Sequence, residues 1–317
     1  MKKILALVLA MLLAVSMFSF VAAEEADKPY IGILAPATTH GWVGGVSFFA
    51  QQTADELGVD YEMIIAENAD EMSSHIETLI QLGVDGILLW TQFTGVETAT
   101  EMALEKGIVV YNFDMIVEVD EKYAENMYVL TGDNKSIGVT SAQYIVDKIG
   151  TEGVVLICDV PTSGNVGADR KAGFEETIAE IAPDMELVTI ATEFNREAGL
   201  NDVADALTAN AQIDAIFAMD DETAMGALQA ITDAGRTDVK AITGGGGCQE
   251  YFNMMDDEAY AGISVCSATY HPSMIVTCVE NLVKVLNGEE VEHNIVLPSE
   301  IVDLANVADH LNADSPY

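Results

Sequence analysis

Positive charge is what this chain has least of. Its 13 Lys and Arg stand against 52 Asp and Glu, giving a formal net charge of −39. A surface of that sign repels nucleic-acid phosphates and anionic lipid headgroups, so neither is expected as a partner. The plain alternative role of the charge is a solvated acidic coat that keeps the protein soluble. Aromatic residues are few, at 7%, and only two are Trp, so an aromatic beside a polar loop stands out. The four cysteines, Cys158, Cys248, Cys266 and Cys278, form no C-x-x-C pair and no zinc-ligand spacing. They are expected to be mostly free thiols, with Cys158 buried in a strand beside the apolar run Val154-Val155-Leu156-Ile157. The motifs G-x-S-x-G and H-E-x-x-H and the dinucleotide-binding glycine fingerprint are also missing. His40 near Asp114 would have no nucleophile beside it. No catalytic residue, metal or cofactor is therefore expected. Half the residues are hydrophobic, which excludes a disordered chain.

The N-terminus carries Lys2 and Lys3, then apolar residues from Ile4 to Phe20, then Val21-Ala22-Ala23. Basic start, apolar stretch and small-residue exit describe a secretory signal peptide over 1–23, cleaved before Glu24. An uncleaved anchor is the rival, but the small residues favour cleavage. No cysteine sits near the cut to carry a lipid. No later stretch is long and apolar enough to span a membrane.

From residue 24 onward, strand-like and helix-like segments alternate. Strands are expected over 30–35, 61–66, 86–90, 108–113 and 127–130, with helices over 46–57, 70–82 and 96–106. Gly58, Gly83 and Gly107 stand where those helices should stop. The rhythm restarts with helices over 136–149, 169–181, 196–210 and 223–234 between strands over 153–159, 186–191, 215–218 and 239–243. This alternation predicts an α/β fold with two doubly wound parallel-sheet lobes. A strand over 261–265, a helix over 272–286 and an extended segment over 295–302 are too few for a third domain. They are expected to return to the two lobes, making three crossovers near 131–134, 262–266 and 294–298. The lobes would then be 24–132 plus 265–295, and 133–264 plus 296–317.

In open parallel sheets ligands sit beyond the carboxyl ends of the strands, so the loops after the strands are where binding residues should lie. The first strand leads into His40 and Trp42, an imidazole and an indole suited to a sugar ring, whose C–H faces stack on aromatics. A core Trp and a surface His are the alternative. Trp90 ends the third strand and is either a second wall or core. Phe113-Asp114 ends the fourth, placing a carboxylate to accept from ligand hydroxyls, or merely to cap a helix. Arg170 follows Ser163-Gly164-Asn165 into a helix, a rigid donor fork in a chain short of cations. Phe194 is a further wall candidate. Of Asp220 and Asp221, the first is the better contact and the second a helix cap. Asp114 and Arg170 are expected to serve the ligand rather than the core, so their loss should spare folding.

These strand-end residues resemble the ribose-binding-protein-like group of periplasmic solute-binding proteins, the type I periplasmic binding protein fold. The resemblance runs from Pro29 to Val302 and is most specific over Ile216 to Ala227, an apolar strand, two acids and a small-residue helix. Arg170 with Gly173-Phe174, and Phe113-Asp114, are similar as well. The resemblance implies that Asp114 and Arg170 match the group's binding Asp and Arg, that Phe194 matches a stacking aromatic, and that Asp220 stands where Asn is usual. His40 and Trp42 fall where Asn and Phe are common. Departures make ribose itself doubtful. Met115 replaces an Arg, and Gly244-Gly245-Gly246-Gly247 replaces a segment with a binding Asp. Cys266, Tyr270 or His271 would fill the space of a Gln. The glycine run could cradle a phosphate, although it lacks G-x-x-x-x-G-K.

The resemblance implies an exported, monomeric binding protein that captures a small polar, sugar-like ligand for the membrane permease of an ABC importer. A ligand sensor that docks the same clamp on a signalling receptor is the alternative.

Overall fold

The computed structural model describes residues 28–38 and 41–317; the 1–23 leader and His40 lie outside the described residues. Among the described residues, no helix is long and apolar enough to cross a membrane. All four cysteines are buried free thiols.

Strands β1 (Tyr30–Pro36), β2 (Asp60–Ala66), β3 (Gly86–Thr91), β4 (Val109–Asp114), β5 (Met127–Gly132) and β11 (Asn294–Leu297) form one parallel sheet, in the order β11-β5-β4-β3-β1-β2. Every residue of β3 is buried, because helices cover both faces of a central strand; edge strand β2 alternates instead. The second sheet holds β6 (Glu152–Asp159), β7 (Asp184–Ala191), β8 (Ala215–Ala218), β9 (Ala241–Gly245), β10 (Ser264–Ala268) and β12 (Ile301–Asp303). Its order is β12-β10-β9-β8-β6-β7, and only β12 runs antiparallel. The helices of the first lobe are α1 (Gly41–Leu57), α2 (Ala69–Leu82) and α3 (Glu97–Glu105). Those of the second are α4 (Asn134–Ile149), α5 (Asn165–Ile181), α6 (Arg196–Ala209), α7 (Asp221–Asp233) and the short α8 (Gln249–Met254). Helix α9 (Met274–Leu286) packs back on α1, β3 and β4.

The two doubly wound lobes are as the periodicity predicts, with three corrections. Strand β10 pairs with β9, so residues 265–268 belong to the second sheet, not the first lobe. The second crossover therefore follows Ala268 and ends at α9, rather than lying at 262–266. The extended segment over 295–302 is two strands in different sheets, split at Pro298, which supplies no amide hydrogen to a ladder. Helix α1 also begins earlier than its apolar spacing suggests, because Gly44 and Gly45 weaken the helical signal of its first turns.

The three crossovers are stitched to one another. The amide of Asp133 donates to the Leu297 carbonyl at 2.8 Å, and that of Thr269 to the Glu300 carbonyl at 2.8 Å. The amide of Glu300 returns a bond to the Thr269 hydroxyl at 2.8 Å, and Ser299 N–H donates to Ser136 Oγ at 3.1 Å.

Close helix contacts set where the second lobe holds its polar groups. Helices α4 and α5 meet at Gly138 and Gly173. A Cβ on Gly138 would fall 2.0 Å from the Arg170 carbonyl oxygen, and one on Gly173 would fall 2.2 Å from that of Lys135. Backbone cannot step aside as a flexible side chain can. Gly138→Ala should therefore force the helices apart and lower stability by about 1–3 kcal/mol, the usual range for overpacking, read as a fall in the urea midpoint. An unchanged midpoint would show that this crossing has slack.

Candidate functional site

A chamber of about 710 Å³ lies between the lobes, lined from both. The first lobe contributes Trp42 on α1, Gln92 and Phe93 after β3, and Asp114 at the end of β4. The second contributes Arg170 on α5, Glu193 and Phe194 after β7, Asp220 after β8, and Gly245-Gly246 after β9. Tyr270, on the second crossover, and Tyr317 complete it. These are the carboxyl ends of parallel strands, as the rule for open sheets requires.

Asp114 is the one non-glycine residue among those described with positive φ, at 68°. Asp tolerates the left-handed region better than most residues, and here the conformation ends the strand and leaves the carboxylate at the chamber wall. That carboxylate accepts a short hydrogen bond from the Tyr270 hydroxyl. Burial raises its pKa above the usual carboxylate value, while Tyr270 and the Arg170 charge pull the other way.

Arg170 is only 5% exposed. Its Nε donates to Asn134 Oδ1 at 2.9 Å, and one terminal nitrogen donates to the Met219 carbonyl at 2.8 Å. The guanidinium carbon lies 4.8 Å from the Tyr270 ring centroid and 5.5 Å from that of Phe194, within cation–π range. With two directions fixed by the protein, the rest of the donor fork remains for a ligand.

Of the two acids after β8, Asp220 reaches the chamber as expected, but the cap expected of Asp221 falls to Asp220 as well. Asp220 is the N-cap of α7, accepting from the amides of Glu222 at 3.2 Å and Thr223 at 3.3 Å, and it still lines the chamber. Asp221 is fully buried behind it. One of its oxygens accepts from the amides of Gly247 at 2.7 Å and Cys248 at 2.8 Å; the other accepts from Ser267 Oγ at 2.7 Å. The glycine run therefore already holds an anion, the protein's own carboxylate, and those amides are not left for a phosphate. Burial pushes the Asp220 pKa up to about 7, with the charge of Asp221 adding to it and Thr223 and Arg170 opposing. Burial likewise pushes Asp221 up to about 6, against its three donors.

Trp42 lies near-parallel to Phe113, with centroids 6.2 Å apart, and its indole N–H donates to the Tyr270 carbonyl at 2.7 Å. Trp90 sits edge-on behind it at 6.0 Å, 2% exposed and away from the chamber lining. Of the residues singled out by sequence, Trp42, Asp114, Arg170, Phe194 and Asp220 come together, whereas Trp90 is core. Of Cys266, Tyr270 and His271, Tyr270 lines the chamber. Asn134, Glu193 and Tyr317 were not singled out; no local pattern marks them. Among the described residues no cluster suited to a metal ion occurs.

Two parallel α/β lobes joined by three crossovers and closing on one polar chamber define a type I solute clamp. Residues 31–290 match the family model for the periplasmic binding protein domain. The chain belongs to that family. It is 28% identical over 297 residues to the ribose import binding protein RbsB of Escherichia coli (strain K12), covering 92% of this chain and 95% of that protein. It is 26% identical to the D-allose-binding periplasmic protein of the same organism, over 83% of this chain and 84% of that one. A Mycobacterium smegmatis structure in complex with β-D-fucofuranose superposes with a TM-score of 0.78 at 24% identity, covering 89% of this chain and 94% of that one.

Proposed function

We propose that this protein captures a small, neutral, polyhydroxylated solute, a sugar or sugar-like molecule, between its lobes and presents it to the membrane permease of an ABC importer. The observation that carries this is the chamber's composition. One aromatic from each lobe, Trp42 and Phe194, accompanies an acceptor-rich wall of Asp114 and Asp220 and the donor fork of Arg170. Hydroxyls both donate and accept, so a polyol can satisfy both kinds of group, while its C–H faces pack on the rings. The chamber falls within the volume range of small-molecule sites. The names of the relatives, import or binding proteins for ribose and allose, support the same ligand class. Export through cleavage after Ala23, a monomeric clamp whose lobes move about the stitched crossovers, and the absence of catalysis complete the proposal. The stitching supports such a hinge, since three short strands crossing side by side permit rotation while blocking separation.

Calorimetry against D-ribose, D-allose, xylitol and L-arabinose tests it. At least one should bind with 1:1 stoichiometry, perturb the fluorescence of Trp42, and be recovered unchanged. Failure of all four, together with binding of an ionic solute, would overturn the ligand class.

A further inference from the structure

The segment after β12 returns to the chamber. It is held to α8 by Gln249, whose amide nitrogen donates to the His310 carbonyl at 3.2 Å and whose oxygen accepts from the Asn312 amide at 2.6 Å. The Ser315 hydroxyl donates to the Tyr317 carbonyl at 2.8 Å, turning the chain inward. Tyr317 is consequently buried, at 6% exposure, although its neighbours along the chain are largely exposed.

Its side chain occupies a slot cut by three glycines, two from one lobe and one from the other. A Cβ on Gly41 would lie 3.3 Å from the edge of the Tyr317 ring, and a Cβ on Gly45 would lie 3.2 Å from its Cβ. Both glycines are on α1 of the first lobe. Across the cleft, a Cβ on Gly246 would lie 2.7 Å from the phenolic oxygen. Gly246 lines the chamber without offering a side chain, and its φ of 143° suits glycine alone. The Tyr317 hydroxyl stands in the space a side chain there would need.

We propose that Tyr317 is a specificity-determining residue of the cleft, packing its ring against both lobes and donating its hydroxyl to the bound solute from the glycine-run side. The acids at the start of α7 reinforce the donor role. Burial and the charges of Asp221 and Asp220 raise the phenol's pKa well above its ordinary value, so it keeps its proton. Arg170 spends two of its donor directions on Asn134 and Met219; at Gly246, Tyr317 brings a donor where the sequence has only glycine.

The proposal rests on the cleft being the solute site, and its test has one arm that does not. In the first arm, calorimetry identifies which of D-ribose, D-allose, xylitol and L-arabinose binds the unaltered protein most tightly, and that sugar is the probe. Tyr317→Phe keeps the ring and should weaken the probe roughly three- to tenfold, the scale of one hydrogen bond between neutral groups, with no change in melting temperature. Tyr317→Ala should weaken it further and reorder the preference among the four sugars. In the second arm, amide hydrogen exchange is followed without ligand. Tyr317→Ala should speed exchange in both 42–46 and 245–248, one stretch from each lobe. Unchanged affinity for the Phe variant overturns the donor role. If no sugar binds the unaltered protein, the sugar reading has failed and exchange alone decides: acceleration in both stretches supports the cross-lobe seat of Tyr317, and unchanged rates overturn it.

Discussion

Arg170→Ala should abolish useful ligand binding and also lower the protein's stability. The sequence suggested only the first effect, since an arginine near a helix start reads as a ligand grip with nothing structural to do. The structure adds a scaffold task, since two of its donor directions are spent on Asn134 and Met219. Truncation strips Asn134 Oδ1 and the Met219 carbonyl of their donor, removes the cation stacked on Tyr270 and Phe194, and leaves Asp114 and Asp220 facing each other's side of the cleft without a counter-charge. Breaking a buried, hydrogen-bonded charge constellation by removing one partner costs about 3–5 kcal/mol, because the uncompensated groups stay buried. A loss of on the order of a hundredfold or more in affinity should accompany it, as for other truncated buried charge contacts. Arg170→Lys should recover little of either, because an ammonium cannot reach both fixed acceptors and still present a planar fork. Urea unfolding and calorimetry on the same preparations check the two effects. An Ala variant with the original midpoint and the original affinity would remove Arg170 from the site and from the scaffold alike.

The outcome at Arg170 shows what a strand-and-helix pattern conveys and what it does not. The order of elements was legible because strand-like and helix-like spacing alternate and several helices end at a glycine with positive φ, as Gly58, Gly83 and Gly107 have. The candidate residues followed from topology, since a parallel sheet puts its loops on one side. That logic found Trp42, Asp114, Arg170, Phe194 and Asp220 without any contact information. It failed where the deciding fact is long-range. Strand β10, Ser264 to Ala268, was expected over 261–265 and in the other lobe; its pairing with β9 decides its sheet, and no local pattern carries that pairing. Trp90 ends a strand, as Trp42 follows one, and only packing shows that one indole stands behind the other. Asp221 looked like a cap because it follows a strand. Its neighbour makes the cap, and Asp221 instead holds the glycine run from beneath through Gly247, Cys248 and Ser267. Tyr317 is brought to the chamber by a segment with no regular pattern at all.

Acidification from pH 8 to about pH 5 should raise the melting temperature of the ligand-free protein, the opposite of what paired surface carboxylates would produce. The carboxyls of Asp114, Asp220 and Asp221 all titrate above the ordinary value in the folded chain, at about 7 for Asp220 and about 6 for Asp221. Burial is the first cause in each case. The folded protein thus holds these protons more tightly than the unfolded chain does, and stability falls as pH rises wherever the folded state binds more protons. The penalty is fully present above the folded values, relaxes as pH falls through 7 and then 6, and is gone once the unfolded carboxyls are also protonated. His271 works against this. Burial lowers it to about 4, so the unfolded chain gains a proton first as pH falls below the ordinary histidine value. One imidazole opposes three carboxyls, and the net slope keeps its sign down to about pH 5. Below the ordinary carboxylate values, Asp238 and Glu250, held under that range by Arg236 and Arg196, progressively lose the stability those ion pairs give, and the trend reverses. Asp220→Asn isolates the carboxyl with the highest of these values. Asn also caps helices, so the variant keeps one of the two cap bonds, to Glu222 or to Thr223, on its single amide oxygen while shedding the buried charge. At pH 8 it should be more stable than the unaltered protein by on the order of 4 kcal/mol, at about 1.4 kcal/mol for each pH unit the native group is displaced. At pH 4 the advantage should vanish, because both side chains are then neutral. The same variant should lose affinity for a sugar at pH 8, where the ionised Asp220 is the stronger acceptor. Melting curves of the two proteins at pH 4, 6 and 8 decide it: parallel curves, or a variant less stable at pH 8, would mean that Asp220 is ionised at no cost and that the chamber is far better solvated than its burial implies.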